Sequence, residues 1–139
     1  QSNITALGKS AVGLVGGSRY AYTQETPENK AFVEAFTKAH PSQLPDWTDG
    51  ELYQALDILF AGIKKANSIE PDKLVPALED IEVTSVKGPI KVRKCDHQGM
   101  NPGIVVKVVD GPKGAVPEIV KIYPREVSTP DCGKTTFST

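Results

Sequence analysis

The sequence contains no apolar run near the roughly 20 residues that a membrane-spanning helix requires. It also has no basic start leading through an apolar core to a small-residue cleavage site. Neither sign of charge is in excess: 16 basic and 17 acidic residues give a net charge of −1 and a pI near 6.2. This rules out the broad positive footprint that nucleic acid or an anionic membrane surface selects. Cysteine is scarce, and two residues, Cys95 and Cys132, cannot build a disulfide-framework protein. Tryptophan and methionine occur once each, and no internal repeat or low-complexity run is present. What remains is 139 residues, 39% hydrophobic and 24% charged, the composition of one soluble globular domain or a piece of one.

The strongest periodic signal is the stretch from Asp46 to Asn67. Leu52, Ala55, Leu56, Leu59, Phe60 and Ile63 recur at offsets of three and four, which puts them on one broad helical face. Asp46 or Asp49 supplies the N-cap, the first turn is acidic, Lys64 and Lys65 close the last turn, and Asn67 suits a left-handed stop. Trp47 stands at the mouth of this helix, either as a packing anchor or as a ligand platform.

Around this helix the chain reads in order. Gln1 to Ser10 is polar, the end of a helix or a ragged terminus. Gly13 to Ala21 reads as a buried strand whose glycines permit close backbone approach, with Tyr20 and Tyr22 on one face. Thr26, Pro27 and Glu28 open a helix with a stripe of Ala31, Phe32, Ala35, Phe36 and Ala39, ending at His40-Pro41. Pro71 opens a short helix that Pro76 is expected to kink or shorten. Period-two alternation then begins: Ile81 and Val83, and Ile90 and Val92, lie either side of a Lys87-Gly88-Pro89 turn. Ile104 to Val109 and Glu118 to Tyr123 form a hairpin with a long loop through Gly111-Pro112-Lys113-Gly114. Pro124 to Thr139 shows no periodicity and reads as a tail. One early strand, three helices and three or four late antiparallel strands make an α/β chain with too little sheet to cover its helices.

The candidate chemistry is sparse. Cys95, Asp96, His97 and Cys132 offer metal ligands, but neither cysteine has a partner two to four residues away, so no zinc site and no other metal is expected. A bridge between Cys95 and Cys132 requires an oxidising compartment; it would close a loop of roughly 38 residues, worth about 3–4 kcal/mol in the chain-entropy model. Free buried thiols are the alternative. A nucleophilic pairing of Cys95 with His40 or His97 lacks any flanking signature, so no enzyme activity and no cofactor are expected. Lys87, Lys91, Arg93 and Lys94 read as a solvated strand face or protected edge, since no aromatics interleave with them. Gly13, Gly16 and Gly17 lie inside a strand-like stretch with no helix opening after them, which excludes a phosphate loop.

The order of these pieces resembles a known family. ITALGKSAVGLVG, then TPENKAFVEAFTKAHP, then LYQALDILFAGIKKANSIEPDKLVPALED and VKGPIKVRKCDHQGMNPGIVVKVVD look like the C-terminal part of type I periplasmic substrate-binding proteins. Within that family the branched-chain amino acid group serving ABC transporters is the nearest likeness, from Ile4 to about Asp110. The resemblance implies a C-terminal fragment of a two-lobed fold, with residues 1–45 in the second lobe, 46–85 as the helical part of the first, 86–124 as crossover and terminal strands, and 125–139 as a tail. It further implies an extracytoplasmic, periplasmic protein that binds an amino acid or related small carboxylate in an interlobe cleft and delivers it to a membrane permease. Of that cleft, the segment before the long helix points to Trp47, Thr48 and Tyr53 as ligand-binding residues. Half a cleft is expected to bind little by itself. A protein-interaction module that self-associates through its exposed apolar helix face, with no small-molecule ligand, is the alternative.

Overall fold

In the computed structural model, which describes residues 1–112 and 114–134, the chain forms five α-helices and six strands among the described residues. Helix α1 (Ser2–Leu7) runs into a 3-10 turn (Gly8–Ala11) and is followed by β1 (Val15–Ser18), α2 (Pro27–Ala39), α3 (Trp47–Ala66) and α4 (Pro71–Leu78). Then come β2 (Glu82–Ser85), β3 (Gly88–Val92), β4 (Gly99–Met100), β5 (Gly103–Gly111), β6 (Gly114–Tyr123) and α5 (Arg125–Ser128). Lys113 of the last hairpin and residues 135–139 of the tail lie outside the described residues.

Local chemistry sets the helix ends. Thr26 Oγ1 accepts the Asn29 N–H at 3.2 Å, and Pro27 occupies the first helical position, where a missing N–H costs nothing. At α3 a reciprocal capping box forms: the Asp46 carboxylate accepts backbone N–H groups of the first turn, while the Asp46 N–H donates to Asp49 Oδ2 at 2.7 Å. Asn67 ends α3 in the left-handed region at φ 48°. Pro76 leaves α4 continuous, and the helix ends two residues later at Leu78.

The strands form two separate three-stranded sheets, both antiparallel: β1-β5-β6 and β2-β3-β4. Helices α3 and α4 pack together, with α3 lying on β2; α2 also touches β2, and α1 touches β6. The core forms where the loop after β1 and helix α2 meet the β2–β3 turn. Tyr20, Phe32 and Val86 are buried there, with Tyr22, Val33 and Phe36 packed around them. The Tyr20 ring meets Phe32 edge-on, with centroids 6.2 Å apart. Its hydroxyl donates to Asn29 Oδ1 at 2.7 Å, and Asn29 Nδ2 donates to the carbonyls of Tyr22 and Gln24 at 2.9 and 2.8 Å. Burial raises the Tyr20 pKa, with the Asp49 charge adding to it, so the phenol stays a donor.

Several sequence expectations are corrected. The early strand is only four residues long and is exposed, because β1 is the edge of its sheet; nothing approaches Gly16 or Gly17. Tyr20 lies beyond β1, and its ring turns into the core. The Val86-Lys87 pair makes the β2–β3 turn, with Ser85 opposite Gly88, so Gly88 and Pro89 already belong to β3. The final hairpin is tight: pairing continues to Gly111 opposite Gly114, which takes φ 113°. Of the two readings of the polar start the helix holds, as α1, whereas the tail, expected to lack structure, carries α5.

The long helix is the largest departure from a closed core. Leu52 and Phe60 are 63% and 62% exposed, with Leu56 and Leu59 also on the surface, whereas Gly50, Gln54 and Gly62 are the buried positions. This chain's own elements close on that buried face of α3, with Tyr20 at Gly50 and Leu74 and Leu78 at Gly62. Of the helix's broad apolar stripe, Leu52, Ala55, Leu56, Leu59 and Phe60 are exposed and Ile63 is half-buried.

Candidate ligand cleft

A polar cavity of about 200 Å³ opens where the two sheets meet, lined by Ser18, Arg19, Glu51, Lys87, Asn101 and Thr129, among others. The elements converge for local reasons. Ser18 and Arg19 end the edge strand, Glu51 stands in the second turn of α3, Lys87 is at the tip of the β2–β3 turn, and Asn101 sits in the two-residue link between β4 and β5.

Lys87 was expected on a solvated cationic face and instead points inward, its side chain only 2% exposed. The tight turn aims it at α3, where its ammonium donates to the Glu51 carboxylate. Burial depresses the Lys87 pKa, and the hydrogen bond and charge of Glu51 work against that shift. Arg19 stands 3.9 Å from the other Glu51 oxygen, and its guanidinium carbon lies 5.4 Å from the Trp47 ring centroid. Two cations therefore share one carboxylate, which leaves positive charge in excess at the mouth. Asn101 Oδ1 is buried without a hydrogen-bond partner. Such a lining can hold a small polar group that brings an acceptor to the cations and a donor to the Asn101 oxygen, while Trp47 flanks Arg19 outside the lining. The other three cations of the expected face are also paired: Lys91 with Asp80 at 3.0 Å, Arg93 with Asp96 at 2.6 Å and Lys94 with Glu79 at 2.8 Å.

The three candidate ligand residues do not converge. Trp47, 45% exposed, faces Arg19 beside the polar cavity. Thr48 lines a different, open cavity of about 660 Å³ shared with Ser2, Thr5, Leu44 and Asp46. The Tyr53 ring meets Phe32 at a 45° tilt with centroids 4.6 Å apart, in a ring series that continues through Phe36 to His40. Arg19, Glu51 and Lys87 were missed, since no local pattern marks a pairing across 36 residues. Cys95 and Cys132 are joined by a disulfide, which engages both sulfurs; with Asp96 they form the one ligand-like cluster among the described residues.

The fold matches an ABC-type branched-chain amino acid transporter protein from Rhodopseudomonas palustris CGA009 with a TM-score of 0.79 and 28% identity, covering 89% of this chain and 34% of that one. It also matches a solute-binding protein of an ABC transporter from Rhodopseudomonas palustris BisB5, solved with 3,4-dihydroxybenzoic acid, at a TM-score of 0.82; at 21% identity this is a likeness of fold, over 88% of this chain and 34% of that one. The architecture is thus part of a periplasmic-binding-protein type I fold. The chain belongs to the periplasmic binding protein family, whose sequence description matches residues 1–113. A curated relative, the Leu/Ile/Val-binding protein homolog 6 of Brucella abortus (strain 2308), is 30% identical over 95 residues, or 66% of this chain. The chain spans 24% of that relative's length. No helix among the described residues is long and apolar enough to cross a membrane.

Proposed function

We propose that this chain is part of the substrate-binding component of an ABC uptake transporter, working in the periplasm or an equivalent extracytoplasmic space. The observation that carries this reading is the family match across residues 1–113 together with a polar, cation-rich cavity at the junction of the two sheets. In this reading the ligand is an amino acid or a related small carboxylate, and binding alone is the activity. The ligand bridges two lobes and stabilises their closure through contacts that exist only when they are closed. A membrane permease then receives it. In this reading the β1-β5-β6 sheet belongs to one lobe and helices α2, α3 and α4 with the β2-β3-β4 sheet to the other, so the first crossing falls at residues 19–26 and not at the expected boundary of residue 45. Trp47 and Arg19 form the wall that this chain contributes, while Thr48 and Tyr53, on other faces of α3, are the weaker contacts.

Isothermal titration of the longer protein that contains this chain, against amino acids and hydroxybenzoates, tests the reading. Micromolar or tighter binding of one class is the expected result, and no binding to either would overturn it. The 139-residue chain alone should bind the same ligand negligibly, because most of the cleft lies elsewhere in the longer protein.

The exposed apolar stripe of α3 favours a second reading, in which the chain associates with itself through Leu52, Leu56, Leu59 and Phe60. Sedimentation velocity separates the two. A monomer over the micromolar range removes the second reading and leaves the first intact.

A further inference from the structure

The two sheets share no strand, and three segments connect them: residues 19–26 lead from β1 to α2, which lies on β2; Asn101 and Pro102 lead from β4 to β5; and the segment after β6 returns to the second sheet. This third passage is the one the sequence leaves without pattern. It sets Arg125 against Glu82 of β2 at 2.9 Å and buries Thr129 at the edge of the polar cavity. It then meets Arg93, at the end of β3, whose Nη1 donates to the Pro130 carbonyl at 2.7 Å. The same guanidinium grips Asp96 with a fork of 2.7 and 2.6 Å, which shapes the β3–β4 loop. Two residues past Pro130, Cys132 is bonded to Cys95 of that loop. The segment leaving one sheet is therefore covalently fastened to the other, beside the cavity where the two meet.

We propose that the Cys95–Cys132 disulfide is an interlobe latch that limits how far the two halves of the fold can part. This rests on the reading above that the halves open and close around a ligand. Every covalent connection between two bodies removes relative movements that the other connections leave free. Here the path from Tyr123 to Cys132 is nine residues, so even fully extended it reaches only about 30 Å. The contacts of Arg93 and Arg125 hold it shorter still. Both cysteines are exposed, so a small dithiol can reach them. Reduction passes two electrons and two protons from the dithiol to the two sulfurs, leaving thiols at Cys95 and Cys132 and closing the dithiol to its own disulfide. The reversible contacts of Arg93 and Arg125 would then hold the passage without the covalent restraint.

Amide hydrogen exchange read by mass spectrometry tests the latch on the full chain in three forms: oxidised, reduced with dithiothreitol after folding, and C95S/C132S. In both bridge-free forms exchange should quicken at least tenfold at residues 19–24, 101–104 and 124–132, while the interior of α3 stays within twofold. Quickening confined to 124–132 would reduce the bridge to a local staple and overturn the proposal. Equal quickening through α3 would make it a general stabiliser and overturn it as well, as would no change. If C95S/C132S fails to fold, the chain reduced after folding still decides the matter. No ligand is used, so failure of the longer protein to bind one leaves this result standing, and failure of the latch leaves the binding reading standing.

Discussion

Lys87 and Glu51 form an asymmetric pair, and the asymmetry predicts unequal costs. Lys87 is enclosed by the turn and α3, whereas the Glu51 side chain is partly open and has Arg19 as a second cation. Glu51→Gln strands a buried ammonium and should cost about 3 kcal/mol, within the range for breaking a buried pair. Lys87→Met leaves a carboxylate that can hydrate and lean on Arg19, and should cost about 1 kcal/mol or less. Urea denaturation of both variants checks the order, and equal losses would contradict it. Gly50 gives a second residue-scale prediction. A Cβ there would stand 2.5 Å from atoms of the Tyr20 ring, and Tyr20 is tied to Asn29 by its hydroxyl, so the ring cannot swing away. Gly50→Ala should therefore destabilise by about 1–3 kcal/mol through overpacking, outweighing the roughly 1 kcal/mol that alanine gains in a helix. A thermal melt would show a lower Tm.

At the scale of the element, α3 carries its own start and stop, and most of its apolar stripe is exposed. Asp46→Ala removes one half of the capping box and should cost about 1 kcal/mol. The stripe makes the opposite prediction for polar substitution. Leu56→Glu with Phe60→Lys places charges at two exposed positions of α3, so stability should change by less than about 0.5 kcal/mol, as at ordinary surface sites. If α3 mediates self-association, the same pair should abolish it in sedimentation velocity, and persistence of the association would place the contact elsewhere. These properties of α3 were legible because capping and periodicity act within a few residues. The reach of β1 was not, because VGGS can sit in a buried centre or on a bare edge, and its place in the sheet is set by β5, which lies more than eighty residues along the chain.

For the whole molecule, acid stability follows from two carboxylates. Burial by itself would raise the Asp46 pKa, but hydrogen bonds from the Gln1 nitrogen, the Ser2 hydroxyl and N–H, and the Trp47 N–H outweigh it and hold the pKa well below the usual carboxylate value. The Arg93 fork, joined by the Gln98 and Gly133 N–H groups, does the same for Asp96. Both groups have a folded pKa below the unfolded value near 3.9, so their contribution is present above that pH and is lost as pH falls through about 4 toward the folded values. Tm should hold from pH 7 to about 5 and fall below 4, and Asp96→Asn should flatten the fall. A Tm that rises on acidification would contradict the sign.

The sequence alone determined α2, α3 and α4, the caps of α2 and α3 and the presence of the late β-hairpins, all of which rest on neighbours within a turn or a strand repeat, and the order of these pieces along the chain determined the family likeness. Only the tertiary structure decided that Lys87 turns inward to Glu51, that Trp47, Thr48 and Tyr53 face three different surroundings, and that the patternless tail crosses between the sheets. The physical reason is distance along the chain. A cap or an alternation is written by residues that touch through the local backbone, whereas Lys87 with Glu51, and Cys95 with Cys132, meet across 36 and 37 residues, and only the packing of whole elements brings them together.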